Sequence, residues 1–193
     1  IFGSIPPEMI LHTYAMIKPG YEDCWGKVIE RIIDEGLEIV QMKTMEFDDT
    51  LAEKFYSEHI GTSFYPALQA YITSGPVVVI ELSGINAIKK WREIIGPTQK
   101  ELAVEKAPNS LRALYARNTT ENLCHGSDSV ESAVRELTLI FGSAPEYMIP
   151  KLDPAEFDDE TLQEMDKLEE LALENKEKPS HSDLKQQYLD ATV

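Results

Sequence analysis

The stretch ENLCHGSDSVESAVRELTLIF, residues 121 to 141, places His125 directly before a Gly-Ser-Asp-Ser turn. A neutral imidazole is a competent nucleophile near neutral pH, including toward phosphorus. Asp128 and Glu131 have the spacing of a capping box, and apolar residues then recur at helical spacing. The free N–H groups at such a helix start favour an anion. The stretch therefore predicts a histidine that could receive a phosphoryl group, although a single histidine is more often a hydrogen-bonded structural residue.

Hydrophobic periodicity predicts the elements that position this histidine. Strands are predicted over 11–19, 37–47 and 76–84, and the third is expected to be central because it is continuously apolar and β-branched. Helices are predicted over 25–33 with Gly36 closing the first, in two short stretches within 49–74 with a break near Gly61, and over 86–95. Residues 98 to 120 are predicted to form a long, mostly irregular connection; such a connection in a compact domain is usually either functional or a misassigned stretch of regular structure.

Composition narrows the class of protein. The net charge of −16 over 193 residues argues against a nucleic-acid-binding surface, which needs basic residues to neutralise phosphates. It leaves room for a nucleotide pocket, which needs only a few local cations. The longest apolar run, PVVVIEL, is too short to span a bilayer, so no membrane partner is expected. The opening residues do not form a signal-peptide pattern, and two cysteines without metal or disulfide spacing suit a reducing, cytoplasmic compartment.

The charge distribution predicts three segments. Residues 1–10 form a proline-broken lead-in, 11–149 a folded domain and 150–193 an acidic extension with 13 Asp/Glu against 5 Lys/Arg. Thr161 and Glu164 could cap one amphipathic helix in the extension. That helix could bind a groove on a protein partner or fold back on its own domain, whereas a charge-rich tail is more often solvated.

The segment NLCHGSDSVESAVREL resembles the active-site segment of nucleoside diphosphate kinases, whose signature is Asn-x-x-His-Gly-Ser-Asp-Ser. The resemblance extends from Leu11 to Phe141. TYAMIKP resembles the family's first strand and its lysine, and FYSEHIGTSFYPALQAYITSGPVVVIELSGINAI resembles its nucleotide-clamping helices and the next strand. WREIIGPT resembles the end of its phosphate-binding helix, and PNSLRALYA resembles the arginine-bearing part of its long loop. It implies an α+β fold of the ferredoxin-like βαββαβ kind, with an antiparallel sheet and helices packed on it.

The resemblance also implies a ping-pong kinase that moves the γ-phosphate of a nucleoside triphosphate to a diphosphate through a phosphohistidine. His125 would be the nucleophile, and Mg²⁺ would enter with the nucleotide. The other implied roles are charge neutralisation by Lys18, phosphate or histidine positioning by Tyr56, base stacking by Phe64, phosphate binding by Arg92, Thr98 and Arg112, sugar binding by Asn122, and orientation of the catalytic cluster by Ser127 and Glu136.

Each of these residues alone has an ordinary structural interpretation. A strand-end lysine such as Lys18 is usually solvated, Arg92 could pair with Glu93 or Asp34, and Phe64 would normally be core. Tyr56 could be a residue of an amphipathic helix, Thr98 a turn residue, and Glu136 part of a solvated stripe with Ser129 and Ser132. Their joint order and spacing favour the functional interpretation.

Two departures from the better-known kinases bear on assembly and activity. KPGYEDCWG lacks the family's usual aspartate after the Lys-Pro pair, and the loop QKELAVEKAPNSL looks about three residues longer. Both resemble the divergent branch of ciliary and flagellar axonemes, which includes weak or inactive kinases, and both put the hexamer of the well-known enzymes in doubt. The alternative function is therefore a nucleotide-binding structural or sensing subunit of an axonemal complex; a histidine phosphocarrier is a third hypothesis, which the base-stacking Phe64 disfavours.

Overall fold

The computed structural model describes residues 9–149. The elements follow in the order β1 (Ile10–Ile17), α1 (Trp25–Asp34), β2 (Glu38–Glu46), α2 (Asp49–Phe55), α3 (Tyr65–Ile72), β3 (Pro76–Ile85), α4 (Ala87–Ile95), α5 (Lys100–Lys106), α6 (Leu111–Tyr115), β4 (Cys124–Gly126) and α7 (Val130–Phe141). Short 3₁₀ turns occupy Glu22–Cys24, Ser57–His59 and Glu146–Met148. The predicted acidic extension and its helix lie outside the described residues.

The four strands form one antiparallel sheet in the order β2-β3-β1-β4. β3 and β1 are the central strands and are almost continuously buried. β4 contributes only three residues, with His125 paired opposite Met16 of β1. The sheet with its helices confirms the predicted α+β, ferredoxin-like fold, and the prediction that the third strand is central was correct.

Apolar residues are buried on both faces of the sheet. Alternation along β1 sends Ala15 and Ile17 toward one core with α1 and α4, and Tyr14 and Met16 toward a second core with α2, α3 and α7. Trp91 of α4 is fully buried in the first core, and its indole N–H donates to the backbone oxygen of His125 at 3.1 Å. α4 therefore fixes the short strand that carries the histidine.

The connection over 98–120 is more regular than the sequence predicts. It contains α5 and α6, and Ser110 caps α6 by accepting a hydrogen bond from the N–H of Ala113 at 3.3 Å. Helices of seven and five residues contain too few turns to show a clear apolar periodicity, so the prediction of an irregular connection was wrong. The result places Arg112 at a buried position of a helix rather than in a loose loop.

The start of α7 also differs from its prediction. The capping box joins Ser129 and Ser132, each side chain bonding the other's backbone, whereas Asp128 accepts a hydrogen bond from the Ser132 hydroxyl. The N–H groups of Asp128, Ser129 and Ser132 thus donate to side-chain oxygens within the cap. These amides are already satisfied, so they do not provide the anion site that the sequence suggests.

None of the helices within residues 9–149 is both long enough and apolar enough to cross a membrane.

Candidate active site

A cavity of about 570 Å³ opens between α2, α3, α7 and the segment 117–126. Nine of the ten site residues predicted from the sequence line it: Lys18, Tyr56, Phe64, Arg92, Thr98, Arg112, Asn122, His125 and Glu136. The tenth, Ser127, is buried behind Glu136. A second cavity of about 790 Å³ lies on the other side of Arg92 and contains only that one predicted residue. The smaller cavity is therefore the candidate site.

His125 lies at the inner wall of the cavity with its side chain 22% exposed. Its ring is packed among aromatic rings, with centroid distances of 5.2 Å to Phe55, 5.8 Å to Tyr14 and 6.4 Å to Tyr56. Backbone pairing with Met16 and the bond from Trp91 hold the strand beneath it. The imidazole is therefore held in one place while part of it remains open to the cavity.

Glu136 and Ser127 determine how the imidazole is oriented. The carboxylate of Glu136 is 3% exposed; its Oε2 lies 3.1 Å from His125 Nε2 and accepts from the Ser127 hydroxyl at 2.5 Å. Because Oε2 of Glu136 already accepts from Ser127, it is assigned as the acceptor for the imidazole too, which places the proton on Nε2 and the lone pair on Nδ1. In this tautomer Nδ1 is the ring atom that could act as a nucleophile. Burial excludes the alternative that Glu136 belongs to a solvated stripe.

Lys18 follows β1 and brings a cation into the cavity wall. Its backbone N–H donates to the carbonyl of Leu123 at 2.8 Å, and the residue is only 6% exposed. Burial, together with the neighbouring Arg112 guanidinium, lowers the pKa of the Lys18 amine from 10.5 to about 7. This lysine is thus not the solvated strand-end residue that its position alone suggests.

The two predicted arginines bind main-chain carbonyls rather than nearby carboxylates. Arg112 donates to Gly96 at 2.8 Å and to Cys124 at 2.7 Å, and Arg92 donates to Gly126 at 3.3 Å. Burial lowers the pKa of Arg112 to about 10, which leaves it charged at neutral pH. The expected pairing of Arg92 with Glu93 or Asp34 is absent among the bonds of residues 9–149. Both cations therefore keep charge available to an anion.

Several buried polar atoms around the cavity have no partner among the described residues. They are the hydroxyl of Tyr56, Oδ1 of Asn122 and Nε of Arg112. The amide nitrogen of Asn122 donates to the carbonyls of Thr119 at 2.9 Å and Thr98 at 3.4 Å, so its oxygen alone remains available. Unpaired buried groups are costly, and their grouping at one cavity indicates a polar ligand.

Phe64 stands at the cavity mouth and is 53% exposed. Its ring meets His59 edge to face at 5.3 Å, and His59 stacks on Tyr56 at 6.0 Å. The structural interpretation of Phe64 as a core residue is therefore wrong. Leaving a large ring exposed has no benefit for folding, whereas it offers a flat surface to a planar ligand.

One backbone conformation beside the histidine is strained. Leu123 has φ of +74°, a region that side-chain-bearing residues rarely adopt, and it is fully buried between Asn122 and Cys124. Such strain persists where the surroundings over-determine the conformation, commonly at functional sites. The conformation of Leu123 turns the chain so that Thr120, Asn122 and His125 all line the cavity.

The sequence did not identify Arg135, Glu58 or His59 as part of the site. Arg135 reaches the carbonyl of Phe55, 80 positions away, and lies 3.6 Å from Glu58 and 3.7 Å from Glu136. Its position directly before Glu136 would indicate a role in the site only if it were known which side of α7 faces the cavity. His59 precedes Phe64 by five residues and could have been found by asking what supports an exposed ring.

No group of three or more His, Cys, Asp or Glu residues that could hold a metal ion occurs within residues 9–149. Of the three carboxylates at the cavity, Glu136 is bonded to Ser127, Asp128 is bonded to Ser132, and Glu58 lies 3.6 Å from the Arg135 guanidinium. This donor set fits a divalent ion that arrives already bound to phosphate oxygens, which is the usual way that Mg²⁺ enters such sites.

The fold and the site define a nucleotide-handling α+β domain, and comparison with known proteins gives its family. The family model for nucleoside diphosphate kinase matches residues 11–145, so the chain belongs to the nucleoside diphosphate kinase family. A nucleoside diphosphate kinase of Listeria monocytogenes serotype 4a (strain HCC23) is 46% identical over 139 residues, covering 71% of this chain and 91% of the relative.

Two further relatives show the extent of the similarity. The solved structure of the Aquifex aeolicus nucleoside diphosphate kinase is 38% identical with a TM-score of 0.67, over 74% of this chain and 100% of that one. A thioredoxin domain-containing protein 3 homolog of Heliocidaris crassispina is 38% identical over 155 residues, covering 79% of this chain but 18% of that protein. The same kind of domain therefore also occurs inside a much longer chain.

Proposed function

We propose that this chain moves the γ-phosphate of a nucleoside triphosphate to a nucleoside diphosphate through a phosphohistidine on His125. The observation that supports this most is the buried Ser127–Glu136–His125 relay at the wall of a cavity that also contains three cations. Family membership makes the reaction class the expected one. The relay supplies the single nucleophile that the reaction needs.

In the first half-reaction, the lone pair on Nδ1 of His125 attacks the γ-phosphorus. The bond between that phosphorus and the β-γ bridging oxygen breaks, and the diphosphate leaves with the electron pair. In the second half-reaction, a terminal oxygen of another diphosphate attacks the phosphohistidine, and the bond from nitrogen to phosphorus breaks. Glu136 holds the Nε2 proton throughout and stabilises the positive charge that builds on the ring.

Cations around the cavity stabilise the transferring phosphate. Lys18, Arg92 and Arg112 all line the cavity, which suits a transition state that needs positioning and charge neutralisation more than covalent chemistry. Tyr56 donates its free hydroxyl to the same phosphate, and Thr98 lies where the outer phosphates would run. Mg²⁺ that arrives with the nucleotide would neutralise part of the phosphate charge.

The sugar and base lie toward the mouth of the cavity. Oδ1 of Asn122 accepts from a ribose hydroxyl, and Phe64 stacks on the base. Stacking tolerates any base because every base has a π-face. The site therefore accepts nucleotides without strong base preference.

Incubation with Mg²⁺ and γ-labelled ATP, followed by a chase with a different diphosphate, tests this function. The expected result is acid-labile label on His125 that moves to the second nucleotide, with no label on His125→Ala. His12→Ala is the matched control, because His12 contacts Glu81 away from the cavity and should leave labelling unchanged. Equal labelling of the His125→Ala variant would refute the assignment.

A second candidate function is a nucleotide-binding module without turnover inside a larger assembly. The similarity to a Heliocidaris crassispina protein of which this chain covers only 18% favours it, because there the domain is a minor part of the chain. An axonemal complex, reached through a protein partner of residues 150–193, would be its setting. Bound ATP without label on His125 would support this candidate. The axonemal setting would be supported if the purified chain associates with axonemal extracts only when residues 150–193 are present.

A further inference from the structure

Arg135 faces three acceptors at once. Its Nη1 donates to the backbone oxygen of Phe55 at 3.1 Å, and its Nη2 lies 3.6 Å from Oε1 of Glu58 and 3.7 Å from Oε1 of Glu136. Phe55 is the last residue of α2, and Glu58 lies in the turn that follows it. The Arg135 side chain therefore connects α7, which carries the Glu136 carboxylate, with the segment 55–64. We call this segment the clamping segment because it ends at Phe64.

At one end of this span, Arg135 affects the Glu136 carboxylate. Oε2 of Glu136 is used by Ser127 and His125, while Oε1 faces the Arg135 guanidinium. A buried carboxylate is costly unless a positive charge or hydrogen bonds compensate it. At 3.7 Å the compensation is electrostatic rather than a hydrogen bond. The guanidinium thus offsets part of the cost of burying the carboxylate and holds it turned so that Oε2 meets the imidazole.

At the other end, Arg135 fixes where α2 stops. The carbonyl of Phe55 is one of the unsatisfied groups at a helix C-terminus, and a cation there also suits the helix dipole. The Phe55 ring packs edge to face on His125 at 5.2 Å, and the chain then passes through His59 to Phe64. A shift of the clamping segment would therefore move both the aromatic wall of His125 and the guanidinium beside Glu136.

We propose that Arg135 is a positioning residue that couples the clamping segment to Glu136. A nucleotide bound against Phe64 then favours the His125 tautomer with its proton on Nε2. That tautomer in turn favours nucleotide binding. The coupling rests on the proposed phosphohistidine function, which it extends by naming what links nucleotide binding to the nucleophile. Arg135 touches neither the reacting nitrogen nor, in this role, the phosphate.

Pre-steady-state phosphorylation of the full chain tests the coupling with two variants. Arg135→Met should slow phosphoenzyme formation at saturating ATP by about tenfold to a hundredfold, because a small misplacement of the reacting groups has effects of that order. It should also raise the half-saturating ATP concentration. Arg135→Lys keeps the charge beside the carboxylates but cannot reproduce the planar fork, so it should restore most of the rate and leave half-saturation raised.

Lys43→Met, on β2, provides a matched control that removes a different contact with the same helix. The Lys43 ammonium donates to the carbonyl of Ile140 at 2.8 Å, near the end of α7, and does not line the cavity. This variant should lower the melting temperature without slowing phosphorylation. If it slowed phosphorylation as much as Arg135→Met, the effect would reflect general loosening of α7, and the proposal would be overturned.

A spectroscopic measurement separates this proposal from the proposed function. In nucleotide-free, ¹⁵N-histidine-labelled chain, the His125 signals, assigned with His125→Gln, should show the Nε2–H tautomer. Arg135→Met should give a mixture of tautomers, and Lys43→Met the wild-type spectrum. A wild-type chain that forms no phosphoenzyme would refute the function alone, leaving the tautomer comparison to decide on Arg135. A working enzyme whose rate and tautomer are unchanged in Arg135→Met would refute the role of Arg135 alone.

Discussion

At the scale of single residues, burial distinguishes the Lys18 amine from ordinary surface lysines. Its pKa of about 7 lies well below the 10.5 expected for an exposed lysine, so the folded chain gives up this proton at lower pH than the unfolded chain does. Between these values the unfolded state binds more protons, and the free energy of unfolding therefore rises with pH across that window. Burying this amine therefore costs stability, and the proposed function accounts for that cost by having Lys18 neutralise charge on the phosphate.

The first prediction follows from this linkage. Lys18→Met should flatten the rise of unfolding free energy with pH between about pH 7 and the upper limit of the window, because the titrating group is gone. Urea denaturation across that range measures it. Lys89→Met is the control, since its ammonium is highly exposed and its removal should leave the slope unchanged. A Lys18→Met slope equal to that of the wild type would contradict the low pKa.

Phe64 supports a second prediction at this scale. Phe64→Ala should weaken binding of adenine and guanine nucleotides alike by about 1–3 kcal/mol, the usual value of a base–aromatic stack. Thermal stability should hardly change, because the ring is half exposed. Leu114→Ala removes a similarly exposed apolar side chain away from the cavity and should change neither property. Calorimetric titration with both nucleotides measures the loss of affinity. A loss that is absent, or confined to one base, would contradict the stacking role of Phe64.

At the scale of elements, the three-residue strand β4 depends on close packing against α4. A Cβ added at Gly126 would lie 2.5 Å from Trp91 Cδ1 and 3.3 Å from Ile95 Cδ1, so only glycine fits. The same strand carries His125 and the carbonyl to which Arg92 donates. Displacing the strand would therefore disturb the proposed nucleophile and a proposed phosphate-binding cation together.

Gly126→Ala should destabilise the chain by about 1–3 kcal/mol, as overpacking of a well-filled core does. It should also slow phosphoenzyme formation because β4 moves. In contrast, Gly26→Ala on α1 meets nothing within 4 Å and should stabilise by about 0.5–1 kcal/mol, since alanine favours helix. Denaturant unfolding of both variants checks the pair. Equal free energies of unfolding for the two variants would contradict the prediction, because they would show that the Trp91 side chain moves to accommodate the added methyl group.

What the sequence could predict depended on the range of the interactions involved. Alternation and helical periodicity located β1, β2, β3 and the longer helices, and the motif around His125 located the cavity wall. The three-residue strand β4 was not predicted. α5 and α6 were missed because they are short. Arg135 was missed because its contact with Phe55 joins residues 80 positions apart, and no local pattern shows which neighbour a helix face meets. Burial of Lys18 likewise depends on the distant segment that contains Leu123.

At the scale of the whole molecule, Met148 marks how far the described domain extends beyond α7. It is buried in the first core, and its sulfur accepts a hydrogen bond from the N–H of His12 at 3.2 Å. Tyr147 beside it meets the His12 ring edge to face. The 3₁₀ turn after the last helix is thus part of the packed structure, which agrees with the predicted boundary at residue 149, although that boundary stays a prediction.

A fourth prediction tests this boundary. A chain ending at Ile149 should keep the melting temperature and nucleotide affinity of the full chain, while losing any partner that the acidic extension binds. Met148→Ala in the full chain should instead destabilise by about 2–5 kcal/mol, because it empties a core position. Thermal unfolding of the two proteins distinguishes them. A shortened chain that fails to fold would mean that the extension belongs to the core.

The lowered pKa of Lys18 also makes its side chain a chemical handle. A lysine that is about half neutral at pH 7 has a free amine lone pair, whereas exposed lysines such as Lys89 stay protonated. An acylating group placed at the phosphate end of a nucleoside would therefore react at Lys18 before the other lysines. The protein could be labelled covalently at its own cavity, in a mixture, without any engineered residue.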